Sequence, residues 1–290
     1  MHIKRAERII IGTASFASTY GIANQNQVST SEINRIIDLS AKSGVFGFDT
    51  APTYGSAEEA ISEAAGKGLK LISKIPAGCR SYRTIYQSVQ RSIELLKAPC
   101  LEAVLFHDSK DLLDAKSEAR TSMMALMEQG LIKRWGVSVY EPDELIRSLD
   151  LEPMVIQAPM NFFDRRFLEP SILKAAQHAG VELHFRSIFL QGFLLMNEQD
   201  LPGHLLRWTD ENRWFGSLAQ SYGLSRHELA VAFALSALPH AKLVVGVNSL
   251  RDLEQLLAVI GLPEIKIERW LPNEESPLEL IDPRRWVRDA

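Results

Sequence analysis

Four residues carry the chemistry this chain could do: Asp49, Tyr54, Lys74 and His107. Asp49 closes a hydrophobic run in GVFGFDTAPTYGSAEEAI (44–61), and Tyr54 follows five residues later in a turn. Lys74 ends the apolar run LKLISK (69–74), and His107 ends LEAVLFH (101–107). A phenol with a pKa of ~10 is a weak acid or base at neutral pH, and a nearby ammonium favours its phenolate form. Lys74 would supply that charge, and Asp49 would hold Lys74 and keep it protonated. His107 would donate a hydrogen bond to a substrate oxygen and share in proton movement. Such a group protonates an alkoxide as it forms, which is what carbonyl reduction requires. Side chains provide no hydride, so a nicotinamide cofactor would have to bring it. Each residue also has a purely structural reading: Asp49 as a turn cap, Tyr54 as a packing aromatic, Lys74 as a surface cation and His107 as a satisfied histidine.

The chemical reading needs elements that bring the four together. Short apolar, β-branched runs alternate with amphipathic stretches along the chain. The pattern predicts strands at 8–13, 45–50, 69–74, 101–107, 132–138, 153–158, 181–187 and 242–247. It predicts helices at 29–44, 56–66, 82–97, 111–130, 141–149, 166–179, 225–238 and 249–260. Ser29 with Glu32, and Ser225 with Glu228, have capping-box spacing. Ile33, Ile36, Ile37, Ser40 and Ala41 fall on one helix face, which Gly44 closes. Alternating β and α implies a parallel sheet, and eight such units in about 250 residues fit a closed (β/α)8 TIM barrel better than an open doubly wound sheet. The strands of a closed barrel all end at one rim, so Asp49, Lys74 and His107 would become neighbours. The expectation is one α/β domain over 1–290, with a core at 8–261. Residues 188–224 are too long for a simple loop and should hold extra helical turns and a flexible part. The tail 262–290 has prolines that oppose a long helix and tryptophans that should pack it irregularly on the body.

Composition narrows the function classes. Hydrophobic residues make up 46% of the 290, enough for a large core. The net charge of −4, with no long basic run, argues against nucleic acid or an anionic membrane as main partner. The apolar run IIIG near the N-terminus is shorter than a signal-peptide core, and no stretch approaches the ~20 residues that span a bilayer. Cys79 and Cys100 form neither a CxxC pair nor a zinc spacing, and no histidine spacing suggests a metal. These features point to a soluble cytoplasmic protein with reduced thiols and a small-molecule partner.

DTAPTYG, with Lys74 and His107 at the next two predicted strand ends, resembles the Asp–Tyr–Lys–His tetrad of the aldo-keto reductase superfamily. The opening IIIGTASFASTYGIAN is similar to that of bacterial members, and the likeness spans roughly 9–260. The resemblance implies NADP or NAD bound in extended form across the barrel rim, and no GxGxxG follows a strand to suggest a Rossmann site. By position, Gly12 and Thr13 would lie near the nicotinamide ribose. Ser138 and Gln157 would hold the carboxamide, although Val139 replaces an asparagine of the family pattern. Asn161 matches the asparagine that follows that glutamine. Arg186 stands where many members stack an aromatic, and Ser187 and Gly192 would cradle the pyrophosphate. Gly246, Asn248 and Ser249 would offer helix N-terminal donors to the adenosine phosphate. Asp252 falls where NADP-preferring members carry Arg or Gln, and Leu256 replaces an asparagine near the adenine. Family habit favours NADPH over NADH, while Asp252 would repel a 2′-phosphate, a repulsion that adjacent Arg251 would offset in part. The implied activity is reduction of an aldehyde or ketone, sugar-linked carbonyls being one option, with Tyr54 as proton donor. Two alternatives stand beside it: a non-catalytic barrel that senses nicotinamide cofactor, and a lyase or isomerase using Lys74 as a Schiff-base amine. Phe16, Tyr20, Phe163, Trp214 and Trp286 are candidates for the substrate wall.

Overall fold

The computed structural model describes residues 5–17, 28–262 and 276–286. Eight parallel strands close into a barrel in sequence order: β1 (Ile9–Gly12), β2 (Gly47–Asp49), β3 (Lys70–Ile75), β4 (Ala103–Phe106), β5 (Trp135–Ser138), β6 (Val155–Pro159), β7 (Glu182–Arg186) and β8 (Lys242–Gly246). β1 pairs with both β2 and β8, which closes the sheet and removes its edges. The helices are α1 (Thr30–Ser43), α2 (Ala57–Ala60), α3 (Tyr82–Leu96), α4 (Ser109–Leu113), α5 (Ala119–Glu128), α6 (Pro142–Leu149), α7 (Pro170–His178), α8 (Thr209–Ser221), α9 (Arg226–Ala237), α10 (Leu250–Ile260) and α11 (Leu278–Ile281). The fold is therefore the (β/α)8 barrel that the alternating pattern predicts.

Strand periodicity explains how the barrel aims its residues. Successive side chains on a strand alternate between faces. One set, Ile9, Ile11, Phe48 and Phe106 among others, faces the helices and joins the large outer core. The other set, Ile10, Ile72, Leu105, Val155 and Val244, meets in a second, separate core inside the barrel. Two residues further along the same strands, on the same inward face, stand Gly12, Lys74, His107, Gln157 and Gly246. An apolar plug thus fills the barrel interior, and the residues just above it point at the C-terminal mouth.

Two predicted helices are interrupted. The stretch 56–66 holds only the short α2 and a 3₁₀ turn at Ala65–Lys67, after which Gly68 turns away at φ 78°. The stretch 111–130 splits into α4 and α5. There Asp114 accepts from Lys116 N at 2.9 Å and Ser117 Oγ accepts from Ala119 N at 3.1 Å. Short polar side chains that bond nearby amides compete with the helix ladder. The capping boxes also diverge. Ser225 and Glu228 form both reciprocal bonds. Ser29 accepts from Glu32 N at 3.3 Å, but the Glu32 carboxylate reaches across to Leu250 N at 2.6 Å.

Between β7 and β8 the chain forms 3₁₀ turns at Leu190–Gly192, Glu198–Asp200 and Gly203–Trp208, and then α8 and α9, so this insertion is more regular than its composition suggests. Of the tail, 276–286 packs on the body: Trp286 is buried and donates from Nε1 to Leu280 O at 3.1 Å.

Gly47 shows how tightly β2 and β3 are set. A Cβ there would lie 1.9 Å from Lys70 O. Gly47→Ala should therefore cost about 3 kcal/mol or prevent folding, as overpacking against backbone does. Gly66→Ala, with nothing within 4 Å of the new methyl, should stay within about 0.5 kcal/mol of the parent. Urea denaturation of both variants checks the pair, and equal stabilities would contradict the close approach.

Candidate active site

The mouth is built on a buried ion pair. Lys74 Nζ donates to Asp49 Oδ1 in a short contact, and to Thr50 O at 3.0 Å. Gln157 Nε2 donates to the other carboxylate oxygen, Asp49 Oδ2, at 2.9 Å. One aspartate therefore ties β2 to β3 and β6. Its backbone carbonyl also accepts from Thr13 N at 3.0 Å and Thr13 Oγ1 at 3.1 Å, which fixes the end of β1.

The turn after β2 brings Tyr54 back over this pair. Thr50 N donates to Ile72 O at 2.9 Å and Tyr54 N donates to Ala51 O at 3.0 Å. Gly55, at φ 62°, supplies a backbone conformation that other residues rarely adopt, and a Cβ there would meet Ala17 Cβ at 3.2 Å. Lys74 Nζ lies 5.1 Å from the centroid of the Tyr54 ring. The His107 ring packs edge-on against Tyr54, with centroids 5.9 Å apart, and Thr53 Oγ1 is 3.5 Å from His107 Nδ1. The four residues singled out from sequence thus lie together.

Their charge states follow from their surroundings. Burial pulls the Lys74 ammonium down, but the Asp49 carboxylate and the Tyr54 phenol outweigh it and hold it above its usual value. Burial, then the neighbouring Lys74 charge, lowers His107 to about 4, so at neutral pH it is an uncharged imidazole. Beside a fixed ammonium, a phenol and a neutral imidazole can move a proton at one oxygen atom and donate a hydrogen bond to it.

A cavity of about 840 Å³ opens above Asp49 and Tyr54 and runs over the rim to α10. Gly12, Thr13, Gln157 and Gly246 line it at the strand ends, Arg186, Ser187 and Gly192 at the end of β7 and the loop after it, and Asn248 and Asp252 at the start of α10. Gln157 Oε1 is buried with no hydrogen-bond partner among the described residues. An orphaned amide oxygen at the strand ends fits an amide donor on a bound ring. The loop after β7 carries positive φ at Ser187, Leu190, Gln191 and Gly192, a concentration of backbone strain beside the cavity.

Several expected contacts are arranged differently. Ser138 is buried in register with Gln157, but it is not part of the cavity wall. Arg186 lies 4.1 Å from the Tyr140 ring and donates to Val139 O at 3.1 Å. Asn161 is a loop clamp: Oδ1 accepts from Phe163 N and Asp164 N, each at 3.0 Å. At the start of α10 the amides expected to meet phosphate are already engaged. Asn248 N donates to Asp252 Oδ2 at 2.8 Å, Ser249 Oγ donates to Asp252 Oδ1 at 2.8 Å, and Leu250 N donates to Glu32 Oε1. Leu256 is fully buried in the outer core and does not line the cavity.

The described aromatic residues expected to wall the substrate lie outside this cavity. Phe16 packs on Phe48, Phe163 belongs to a cluster with Phe162, Trp214 and Phe215, and Trp286 is buried in the tail. None of these, nor Trp214, lines the cavity, and Tyr20 lies outside the described residues. Phe16, Phe163 and Trp286 are buried, whereas Trp214 remains exposed. The insertion after β7 lines this cavity through Leu195, Gly216, Gln220 and Arg226. Arg226 went unnoticed in the sequence. Its capping box places it at the first turn of α9, but only the closed barrel turns that end toward the cavity.

The sequence model of the aldo/keto reductase family matches residues 8–271. No curated protein matches the chain. Among solved structures, a Pseudomonas aeruginosa protein assigned as an aldo-keto reductase superposes with a TM-score of 0.66 at 20% identity, covering 87% of this chain and 89% of that one. A thermostable aldo-keto reductase solved with the inhibitor epalrestat superposes with a TM-score of 0.65 at 20% identity, covering 89% and 91%. At that identity these likenesses carry the fold alone.

Because folding holds His107 at about 4 against an ordinary 6.5, the unfolded chain binds more protons between those values. Stability should be present in full above about pH 6.5 and fall as pH drops toward 4. Burial lowers His184 and His227 too, and they add to the same slope. Denaturant titrations from pH 8 to 4 should show this decline, and His107→Asn should flatten part of it. A proton NMR titration placing His107 near its ordinary value would contradict the assignment.

Proposed function

The chain belongs to the aldo/keto reductase family, and from its site we propose an oxidoreductase that reduces an aldehyde or ketone to an alcohol, with Tyr54 as proton donor. The observation that carries this reading is the Lys74 ammonium, buried beside the Asp49 carboxylate and the Tyr54 ring, the two residues of the set that line the cavity.

A nicotinamide cofactor, when bound, supplies the hydride. The residues do the rest. Gln157 Oε1 accepts from the carboxamide and orients the ring, while Nε2 of the same side chain remains on Asp49. Neutral His107 donates to the carbonyl oxygen and orients it. Tyr54 gives its proton to that oxygen as negative charge develops there. Lys74 stabilises the charge left on the phenolate. Asp49 keeps Lys74 charged and in place.

This protonated, ion-paired lysine also weighs against the Schiff-base alternative, which needs a free amine as nucleophile. The cofactor-sensing alternative uses the same cavity but has no need of the proton donor.

For the cofactor, the start of α10 favours NADH over the NADPH of family habit. Asp252 and Glu32 already place two carboxylates on that helix N-terminus. A 2′-phosphate there would face like charge, whereas a ribose hydroxyl can donate to a carboxylate.

Two measurements test the proposal. Tyr54→Phe should lower kcat for NADH-linked carbonyl reduction by about 10²–10⁴-fold while leaving cofactor affinity within about twofold. Turnover kept within about tenfold would remove Tyr54 as donor, and tight cofactor binding without turnover of any carbonyl by the parent would favour the sensor. Tryptophan-fluorescence titration should show NADH binding about tenfold or more tighter than NADPH, with Asp252→Asn narrowing the gap. Tighter NADPH binding by the parent would overturn the NADH assignment.

A further inference from the structure

The cavity wall holds a cation that the chemistry above does not use. Arg226 is the first residue of α9. Its guanidinium partners are neutral: Nη1 donates to Asn212 O at 3.1 Å and Leu194 O at 3.4 Å, and Nη2 donates to Asn212 Oδ1 at 3.1 Å. Glu228, two residues on, is engaged in its helix cap and accepts from Ser225 N at 2.7 Å. Arg134 and Arg166 are met by carboxylates, Glu102 and Glu182 for the first and Glu141 and Asp164 for the second, whereas Arg8, away from the cavity, is met by three backbone carbonyls. A guanidinium keeps its proton in any protein environment, so one held at a cavity wall without a carboxylate calls for an anion from outside.

The fold also makes room for this side chain. Gly216 lies within α8, where glycine is worse than alanine by about 0.5–1 kcal/mol. Its φ is not positive, so no turn requires it. A Cβ at that position would lie 2.3 Å from Arg226 Nη2. Glycine leaves the guanidinium its seat against the helix. Around the cavity Lys74 neutralises Asp49, which leaves Arg186 and Arg226 against Asp252. A bound molecule carrying two negative charges near its middle would suit that balance.

We infer that Arg226 is the anion anchor of the cavity and holds the diphosphate bridge of a dinucleotide whose ends lie toward Gln157 and Asp252. This rests on the nicotinamide-cofactor reading and adds to it a residue specific to this chain. The planar fork of donors matches phosphate oxygens and is already oriented by Asn212 and Leu194.

The test is calorimetric titration of the full chain with NADH and, separately, with inorganic pyrophosphate. Arg226→Gln should weaken NADH binding by about 10- to 100-fold, the loss of a charge-assisted phosphate contact. Arg226→Lys, which keeps the charge but loses the fork, should bind more tightly than Arg226→Gln and more weakly than the parent. Gly216→Ala should weaken binding in the same direction while its melting temperature stays equal or rises. NADH binding to Arg226→Gln within threefold of the parent would overturn the inference. So would Lys and Gln variants that are equally impaired, since the arginine would then only brace the wall. If the parent binds neither NADH nor NADPH, the cofactor reading fails by itself. Pyrophosphate binding that disappears in Arg226→Gln would then still support the anchor, and its absence would reject it.

Discussion

An ammonium and a carboxylate buried together are stable only as a pair. Either one alone, removed from water at the mouth of the barrel, would leave an uncompensated charge costing about 3–5 kcal/mol. Lys74 and Asp49 meet that condition, with Thr50 O and Gln157 Nε2 satisfying further positions on each. The pair itself joins the neighbouring strands β2 and β3, while Gln157 reaches Asp49 from β6, a contact that needs the closed barrel. A hydrophobic pair of similar volume would pack as well. What the charged pair adds is a fixed positive field at the ring of Tyr54, and the proposed chemistry needs that field there.

The rest of the mouth is arranged around this point. The apolar plug of Ile10, Ile72, Leu105, Val155 and Val244 lies beneath it and keeps the barrel interior dry. Burial and the lysine charge keep His107 neutral, so it can donate a hydrogen bond without adding a second cation. The insertion between β7 and β8 walls the cavity on the outer side and brings Arg226 to it. The tail contributes through Arg284, which lies 3.8 Å from the Tyr140 ring that also contacts Arg186. Tyr140 thus links the docked tail to the middle of the cavity.

Much of this could be read from sequence because it rests on local periodicity. Strand alternation places Lys74 and His107 two positions beyond an interior apolar residue, so naming the strand ends locates them, whereas Gln157 comes from the family resemblance. Ser225, Glu228 and Gly44 mark real helix ends. The misses depend on side chains that choose between near and distant partners. Glu32 leaves its own helix cap for Leu250 N, and Asp252 turns back on Asn248 N. Asp114 and Ser117 break a helix that hydrophobic spacing would continue. Phe16 and Phe163 were drawn as substrate walls, but a large ring gains more from burial than from lining a polar mouth. Arg226 shows no pattern in sequence, since its importance comes from having only neutral partners among the described residues.

The most direct measurement is a crystal structure of the chain soaked with NADH and an unreactive carbonyl analogue. The account predicts the nicotinamide carboxamide nitrogen within hydrogen-bond distance of Gln157 Oε1. It also predicts the analogue's oxygen in contact with both the Tyr54 phenol and the His107 imidazole, with Lys74 still on Asp49. A nicotinamide ring bound away from Gln157, or an analogue oxygen beyond reach of the phenol, would contradict it.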